Sequence, residues 1–468
     1  VQQTTLVPTR RADGVRADLV CAAAAAVLVA LAFAVPFIMG RAWSERLCAA
    51  AAPIFGIWGP HIGWGTGPAI VIAVLVLLTG PELARRLPWR PMLLLAWATS
   101  VAWTFSLAMI DGWRVGFAGQ RLARHEEYLY EARRITDLGA MLRGFSGRIL
   151  DFQPDSWATH VSGHPAGALL TFVLLDRIGL GSGAWAAWVV VLAGCSAAAA
   201  VPVALNALGS PERARAVVPF LILAPAAVWI GVSADALFTG VTAWAVALLA
   251  IATRRRAGWA GIALASGLLF GYGIYLNYGL TLVAVPAAAV LLMPGGRSLL
   301  PAVAALIGVA LVVAAFTASG FWWLDGYHLV VQRYYQGIAS ERPYSYWVWG
   351  NLAATVCAVG LAAAAALHRV VREVVPGLPD RRLPWLPWLS RWRGEVDPAA
   401  LLAVAGLAAI VAADLSGLSK AETERIWLPF DMWLLAGTAL LPYRNVRAWL
   451  AVQAVAALAI NHLLMTNW

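Results

Sequence analysis

Residues 111–167 read DGWRVGFAGQRLARHEEYLYEARRITDLGAMLRGFSGRILDFQPDSWATHVSGHPAG, the longest stretch of the chain without a membrane-length apolar run. Most of the sequence on either side is apolar, so this stretch decides the fold: it is a polar loop set between membrane spans. It concentrates Asp111, Glu126, Glu127, Glu131, Asp137, Asp151, Asp155, His125, His160 and His164. Spans must first satisfy lipid, so chemistry or recognition collects in such loops.

Working outward, the chain of 468 residues is 61% hydrophobic and only 12% charged, about half the charged fraction of a soluble domain. Apolar runs of about 17–25 residues match a hydrocarbon core about 30 Å thick. They fall near 18–39, 67–83, 91–110, 183–206, 215–232, 236–252, 258–273, 277–293, 298–318, 346–367, 398–415, 426–441 and 446–464. The expected fold is an all-α polytopic membrane protein of about thirteen transmembrane helices. The net charge of +10 does not indicate nucleic acid, because the arginines sit in short loops and mark the cytoplasmic side of a bilayer. Lys420 is the only lysine. The scattered cysteines form no CxxC or Cys/His cluster and read as small hydrophobes.

Orientation turns on Pro165 to Leu175, which as a helix covers only about 16 Å. If it crossed, Arg213, Arg215, Arg254 to Arg256 and the cluster Arg369, Arg372, Arg381, Arg382, Arg391 and Arg393 would face outward. If it lies on the surface, all of these join Arg10, Arg11, Arg16, Arg85, Arg86 and Arg90 inside, as the positive-inside rule requires. The loop then runs externally from 111 to 182, and the N-terminus is cytoplasmic in a plasma (inner) membrane. Within it, Leu122, Leu129, Ala132, Ile135, Leu138, Leu142 and Phe145 recur at helical spacing. They predict one amphipathic helix on the outer leaflet, with Glu126, Glu127, Glu131, Arg133 and Arg134 on its solvated face. The Pro-rich 374–394 loop reads as an interfacial anchor. External segments 322–347 and 416–430 add Tyr327, Tyr334, Tyr335, Arg333, Lys420, Glu422, Glu424 and Arg425.

Asp111 just beyond an early span, Gly163-His164-Pro165-Ala166-Gly167 on a juxtamembrane helix, Pro225 followed by Asp235, and ETERIWLPF before a late span stand in a fixed order. In this the chain resembles the GT-C superfamily of integral membrane glycosyltransferases. The likeness covers roughly 91–440, so residues 1–90 read as an added N-terminal hairpin and 91–468 as the GT-C-like domain. It implies transfer of a sugar from a polyprenyl-phosphate donor, mannose or arabinose among the sugars, to a cell-envelope glycan or glycolipid. Stereochemistry, inverting or retaining, is open. Ala166 replaces the family's second proline. Asp111 lies closer to its span than the family's acid, so Glu126, Glu127 and Asp155 compete with it as base. No Asp-x-Asp pair is present, which leaves no certain cofactor and a divalent cation, Mg or Mn, as an open option. His160 and His164 have ligand-like spacing, but Pro165 starts the helix and leaves His160 outside it.

A carboxylate at the membrane edge suits deprotonation of an acceptor hydroxyl, and a guanidinium suits a departing phosphate. Asp111 is the first choice for base, with Asp235 orienting the acceptor or supporting a metal. Arg425 is the phosphate partner, with Lys420 and Arg333 as alternatives; His160, His164, Tyr327, Tyr334, Tyr335 and Glu424 are candidates for substrate contact. Each has a structural alternative: interfacial water for Asp111, a helix cap for Asp235, a salt bridge to Glu422 or Asp414 for Arg425, an aromatic belt for the tyrosines. The other functional class is a transporter or flippase for a lipid-linked or polar solute. It requires ionisable groups at mid-membrane, where this sequence has few.

Overall fold

The computed structural model describes residues 13–119, 121–293, 296, 298–375 and 396–466. Among them, nine helices are long and apolar enough to cross a membrane: Gly14–Met39, Thr66–Arg86, Trp89–Ala108, Gly183–Ala207, Ala234–Arg254, Trp259–Leu276, Leu299–Ala318, Pro398–Leu415 and Tyr443–Leu463. Tyr344–Val359 and Leu361–Val374 make a tenth only if counted together, because they meet at a 103° bend. The remaining expected spans are shorter. Residues 215–232 break into Pro211–Ala216, Val218–Ile222 and Ala227–Ile230, with prolines at 219 and 225 interrupting the helical ladder. Tyr278–Leu292 and Leu428–Leu440 are apolar but too short to count as spans.

The long helices are built from apolar residues with almost no charge, and close helix contact depends on small side chains. Between Trp259–Leu276 and Leu299–Ala318, a Cβ on Gly267 would stand 1.9 Å from the Ala305 carbonyl oxygen, and one on Gly308 would stand 2.5 Å from that of Leu264.

The antiparallel course sorts the loops onto two ends. At one end Arg215 donates to the Ala84 and Leu87 carbonyls, closing the Thr66–Arg86 helix, while Arg213 pairs with Asp397 and donates to Ala439. Arg254 ends the helix Ala234–Arg254 there, and Arg255 and Arg256 follow it. At the other end lie 40–65, 109–182, 320–343 and 416–427. A two-stranded antiparallel pairing, Gly56–Trp58 with Leu464–Thr466, ties the first of these to the end of the last helix. The proline-rich segment read as an interfacial anchor lies almost wholly outside the described residues.

The 109–182 region is not one amphipathic helix. It folds into the short helices Tyr128–Ala132, Leu138–Gly144 and Thr159–Ser162, then Ala166–Arg177. Asp137 accepts from the Ala140 amide and restarts the chain after the break at Ile135–Thr136. The apolar residues meant for lipid are instead core: Leu122, Leu129, Ala132 and Phe145 are all buried. Glu126, Arg133 and Arg134 are exposed as expected, but Glu127 and Glu131 are buried, which corrects the reading of that face as solvated throughout. Ala166–Arg177 stays at this end. Its Gly167 packs so close to the Tyr275 carbonyl oxygen that a Cβ would stand 2.6 Å away.

Candidate active site

Two clusters of buried charge meet the loops at this end. The first is centred on Asp111, one turn beyond the Trp89–Ala108 helix. Asp111 Oδ1 lies 2.7 Å from His61 Nε2, and Oδ2 accepts from Arg121 at 2.5 Å. Both Asp111 and Arg121 are almost wholly covered, at 5% and 2% side-chain exposure. Burial lowers the Arg121 pKa to about 10, and Asp111 works against that loss. Arg121 also donates to the Thr466 carbonyl at 2.8 Å, so the paired strands are fastened to the cluster. His61 Nδ1 faces the Gly59 carbonyl at 2.7 Å. A carbonyl only accepts, so Nδ1 carries a proton and the 2.7 Å contact to Asp111 shares another.

The second cluster is centred on Arg425. Its guanidinium donates to Asp235 Oδ2 and Glu422 Oε2, each at 2.6 Å. Burial alone lowers the Arg425 pKa, but the two carboxylates outweigh it and hold the group above its ordinary value. Burial likewise raises Glu422, and Arg425 with Arg342 outweighs it, leaving Glu422 below the ordinary value. Asp235, in the first turn of Ala234–Arg254, caps nothing; its Oδ1 is buried with no hydrogen-bond partner. Nearby, His160 Nδ1 lies 2.6 Å from Glu127 Oε1, and His164 Nδ1 lies 2.7 Å from the His160 carbonyl. Burial pushes His164 down to about 4, with Asp235 pulling the other way. His164 is therefore neutral near pH 7. The rings of Tyr128 and Phe238 flank it.

The loop carrying Glu422 and Arg425 is shaped by a residue that sequence reasoning missed. Asn351 is fully buried and donates to Asp414 Oδ1 and the Ser419 carbonyl, at 2.8 and 2.7 Å, while accepting from the Ala421 amide at 3.2 Å. Ala421 and Glu422 both adopt left-handed backbone (φ 73° and 63°), which this anchoring holds in place. Asp414, an alternative partner for Arg425, is thus committed to Asn351. Glu424 accepts from the Phe55 amide at 2.8 Å; its other oxygen is buried without a partner, and burial raises its pKa to about 7.

The other candidates have contacts of their own, and Lys420 is linked to Glu422 through Arg342, which donates to the Lys420 carbonyl at 2.6 Å. Lys420 donates to the Ala339 carbonyl at 3.0 Å, stands over the Tyr335 ring, and offers its backbone amide to Tyr334 Oη at 2.9 Å. Arg333 pairs with Asp151 and donates to Ser162 Oγ. Tyr327 stacks on Trp323. Asp155 is 67% exposed beside Arg148, and Glu126 is exposed, its carbonyl accepting from the His160 amide. Among the described residues no three His, Cys, Asp or Glu side chains converge as a metal site. Nδ1 of His160 is on Glu127 and Nδ1 of His164 is on the His160 carbonyl.

His61 and Arg121 also escaped the sequence reading. The one local signal for His61 is its place in the glycine-rich GPHIGWG, just ahead of a span. Arg121 stands ten residues past Asp111 in a segment whose arginines look alike.

Fold and site together define a multi-pass helical membrane protein with two buried charge clusters at the loop end of the bundle; a third, Asp18 with His368 and Arg369, lies near the opposite end. No family model and no curated protein matches the chain. Among solved structures it is similar to ArnT from Cupriavidus metallidurans in the apo state, at 16% identity over 74% of this chain and 60% of that one, with a TM-score of 0.44. It is also similar to the archaeal oligosaccharyltransferase AglB from Archaeoglobus fulgidus in complex with an inhibitory peptide and a dolichol-phosphate, at 16% identity, 80% and 50% coverage and a TM-score of 0.38. The chain thus spans 60% and 50% of the lengths of these two proteins.

Proposed function

We propose that the protein transfers a sugar from a polyprenyl-phosphate donor to a cell-envelope glycan or glycolipid, at the exoplasmic face of the inner membrane. The observation that carries this reading is the meeting of acids and bases from distant segments at one end of the bundle. Asp111 with His61, and Asp235 with Arg425 and Glu422, are brought together from distant segments at the loop end. The arginine-rich opposite end is then cytoplasmic. The first ninety residues act as an addition that supplies His61 and Phe55 to the site.

In this reading Asp111 is the base. Each carboxylate oxygen has two lone pairs, so His61 and Arg121 leave room for an acceptor hydroxyl. The acceptor oxygen attacks the anomeric carbon as its proton passes to Asp111, the bond from that carbon to the phosphate oxygen breaks, and polyprenyl phosphate leaves. Arg121 fixes the carboxylate in place. Arg425 has both terminal nitrogens on carboxylates, so we assign it to holding Asp235 and Glu422. The phosphate falls to Lys420, whose ammonium is held by one carbonyl at the rim. Asp235, with its open Oδ1, orients the acceptor. The test is transfer by purified protein from a panel of radiolabelled polyprenyl-phosphate sugars to membrane acceptors; no transfer from any donor would sink the reading.

One observation favours the transporter or flippase reading. Asp431, in the short apolar helix Leu428–Leu434, is buried with neither carboxylate oxygen hydrogen-bonded. Ionisable groups inside a bundle mark solute or proton paths in transporters. It stands alone, whereas the charge at the loop end is clustered, so the enzyme reading comes first.

A further inference from the structure

The helix Trp323–Gln336 runs along the loop that carries His160 and His164. Asp325, His328 and Leu329 share one of its faces at i, i+3 and i+4. Opposite them stand Ser146, Leu150 and Gln153, and between the two sides is an open groove of about 510 Å³, within the range of about 300–1,000 Å³ typical of small-molecule sites. The side chains of Asp325, His328, Ser146 and Gln153 make no hydrogen bond or ion pair among the described residues, so their donors and acceptors are available to a ligand.

The lining chemistry selects the ligand. A carboxylate, a carboxamide, an imidazole and a hydroxyl match paired hydroxyls, while Leu150 and Leu329 offer apolar surface to the C–H faces of a sugar ring. The lining has one acid and no lysine or arginine, so it disfavours a phosphate and hence the donor head. Eight residues beyond Asp325, about 12 Å along the helix, Arg333 pairs with Asp151 and donates to Ser162 Oγ at 3.2 Å. The helix that lines the groove thus also touches the segment that presents His164.

We propose that this groove binds a neutral, hydroxyl-rich glycan segment. Resting on the glycosyl-transfer reading for what that segment belongs to, it is the part of the acceptor remote from the reacting hydroxyl. Interactions made there position the acceptor without touching the reacting atoms.

The experiment uses the full chain in lipid nanodiscs, titrated with manno- and arabino-oligosaccharides of one to four sugars and followed by saturation-transfer NMR. Wild-type protein is expected to bind, more tightly as the oligosaccharide lengthens. The double variant Asp325→Ala, His328→Ala is expected to lose at least tenfold in affinity with unchanged thermal unfolding, both side chains being exposed. Failure of every oligosaccharide to bind wild-type protein, or equal binding by the double variant, overturns the proposal. If the groove binds glycans but no donor supports transfer, the transfer reading fails and the binding site stands. If transfer proceeds with the same acceptor KM in the double variant, the groove assignment fails and the transfer reading stands.

Discussion

His61 Nε2 lies 2.7 Å from Asp111 Oδ1, and the opposite ring nitrogen is held on the Gly59 carbonyl at 2.7 Å. Both ring nitrogens are thereby committed, so His61 holds the Asp111 carboxylate in position and a proton taken by Asp111 stays on that carboxylate. His61 is a positioning residue for the proposed base.

Replacing His61 by Gln keeps a hydrogen bond to Asp111 but loses the ring held between Asp111 and the Gly59 carbonyl. Turnover is expected to fall by about 10²-fold, the cost of a misplaced catalytic group, with KM largely kept. Unchanged kcat in the folded variant means that His61 is only packing.

Lys420→Ala is expected to raise the donor KM several-fold with kcat largely kept, and Lys420→Arg to restore most of the loss, since the role requires charge rather than a planar fork. Arg425→Gln strands Asp235 as a buried charge, while Glu422 keeps Arg342, and removing one partner of a buried pair costs about 3–5 kcal/mol. Reduced yield and a lower melting temperature are therefore expected before any kinetic change. Steady-state kinetics with thermal unfolding separates the two. If Arg425→Gln folds normally and only donor affinity drops, the phosphate belongs to Arg425 instead.

Glu424 has a folded pKa of about 7 against an ordinary 4.5, raised first by burial. The folded state thus holds the proton more tightly than the unfolded chain. Its contribution to stability is complete below about 4.5 and is lost as the pH rises through about 7. Glu424→Gln, which keeps the oxygen that accepts from the Phe55 amide, is expected to flatten the fall in melting temperature between pH 5 and 8. Parallel curves for the two proteins exclude Glu424 as the titrating group.

Much of this arrangement is written locally. Leu299–Ala318 has no charged residue, so its helix follows from composition, and the shortness of Ala166–Arg177 keeps the loop on one side. Asp111, His164, Asp235 and Arg425 stand out as polar residues next to apolar runs. What the sequence hides is pairing. His61 is fifty positions from Asp111, and Phe55 is 369 from Glu424; neither contact leaves a periodic trace. Glu127 and Glu131 look like solvated helix positions because their compensation, His160 and the Ala158 amide, comes from a later turn of chain. Broken helices are similarly hidden: 215–232 is as apolar as a span, and only its prolines tell against one.

The two-ended arrangement of loops predicts accessibility. In a cysteine-free background, cysteines at Glu212 and Arg256 are expected to resist an impermeant thiol reagent added to intact cells, while cysteines at Gln153 and Ser340 label. All four side chains are exposed at their ends of the bundle. Labelling of the first pair and protection of the second reverses the orientation and places the site inside the cell.

The most direct test of the central claim is the transfer activity of Asp111→Asn with a polyprenyl-phosphate sugar donor. The amide keeps the shape but leaves Arg121 buried without its charged partner, which costs about 3–5 kcal/mol, so a lower melting temperature is expected and turnover is measured per folded molecule. Loss of the base is expected to lower turnover by about 10²–10⁴-fold. Glu126→Gln, Glu127→Gln, Asp155→Asn and Asp235→Asn are measured alongside. Near-full activity in folded Asp111→Asn, with one of these inactive, contradicts the assignment of the base. Full activity in all five contradicts the proposed enzyme site itself.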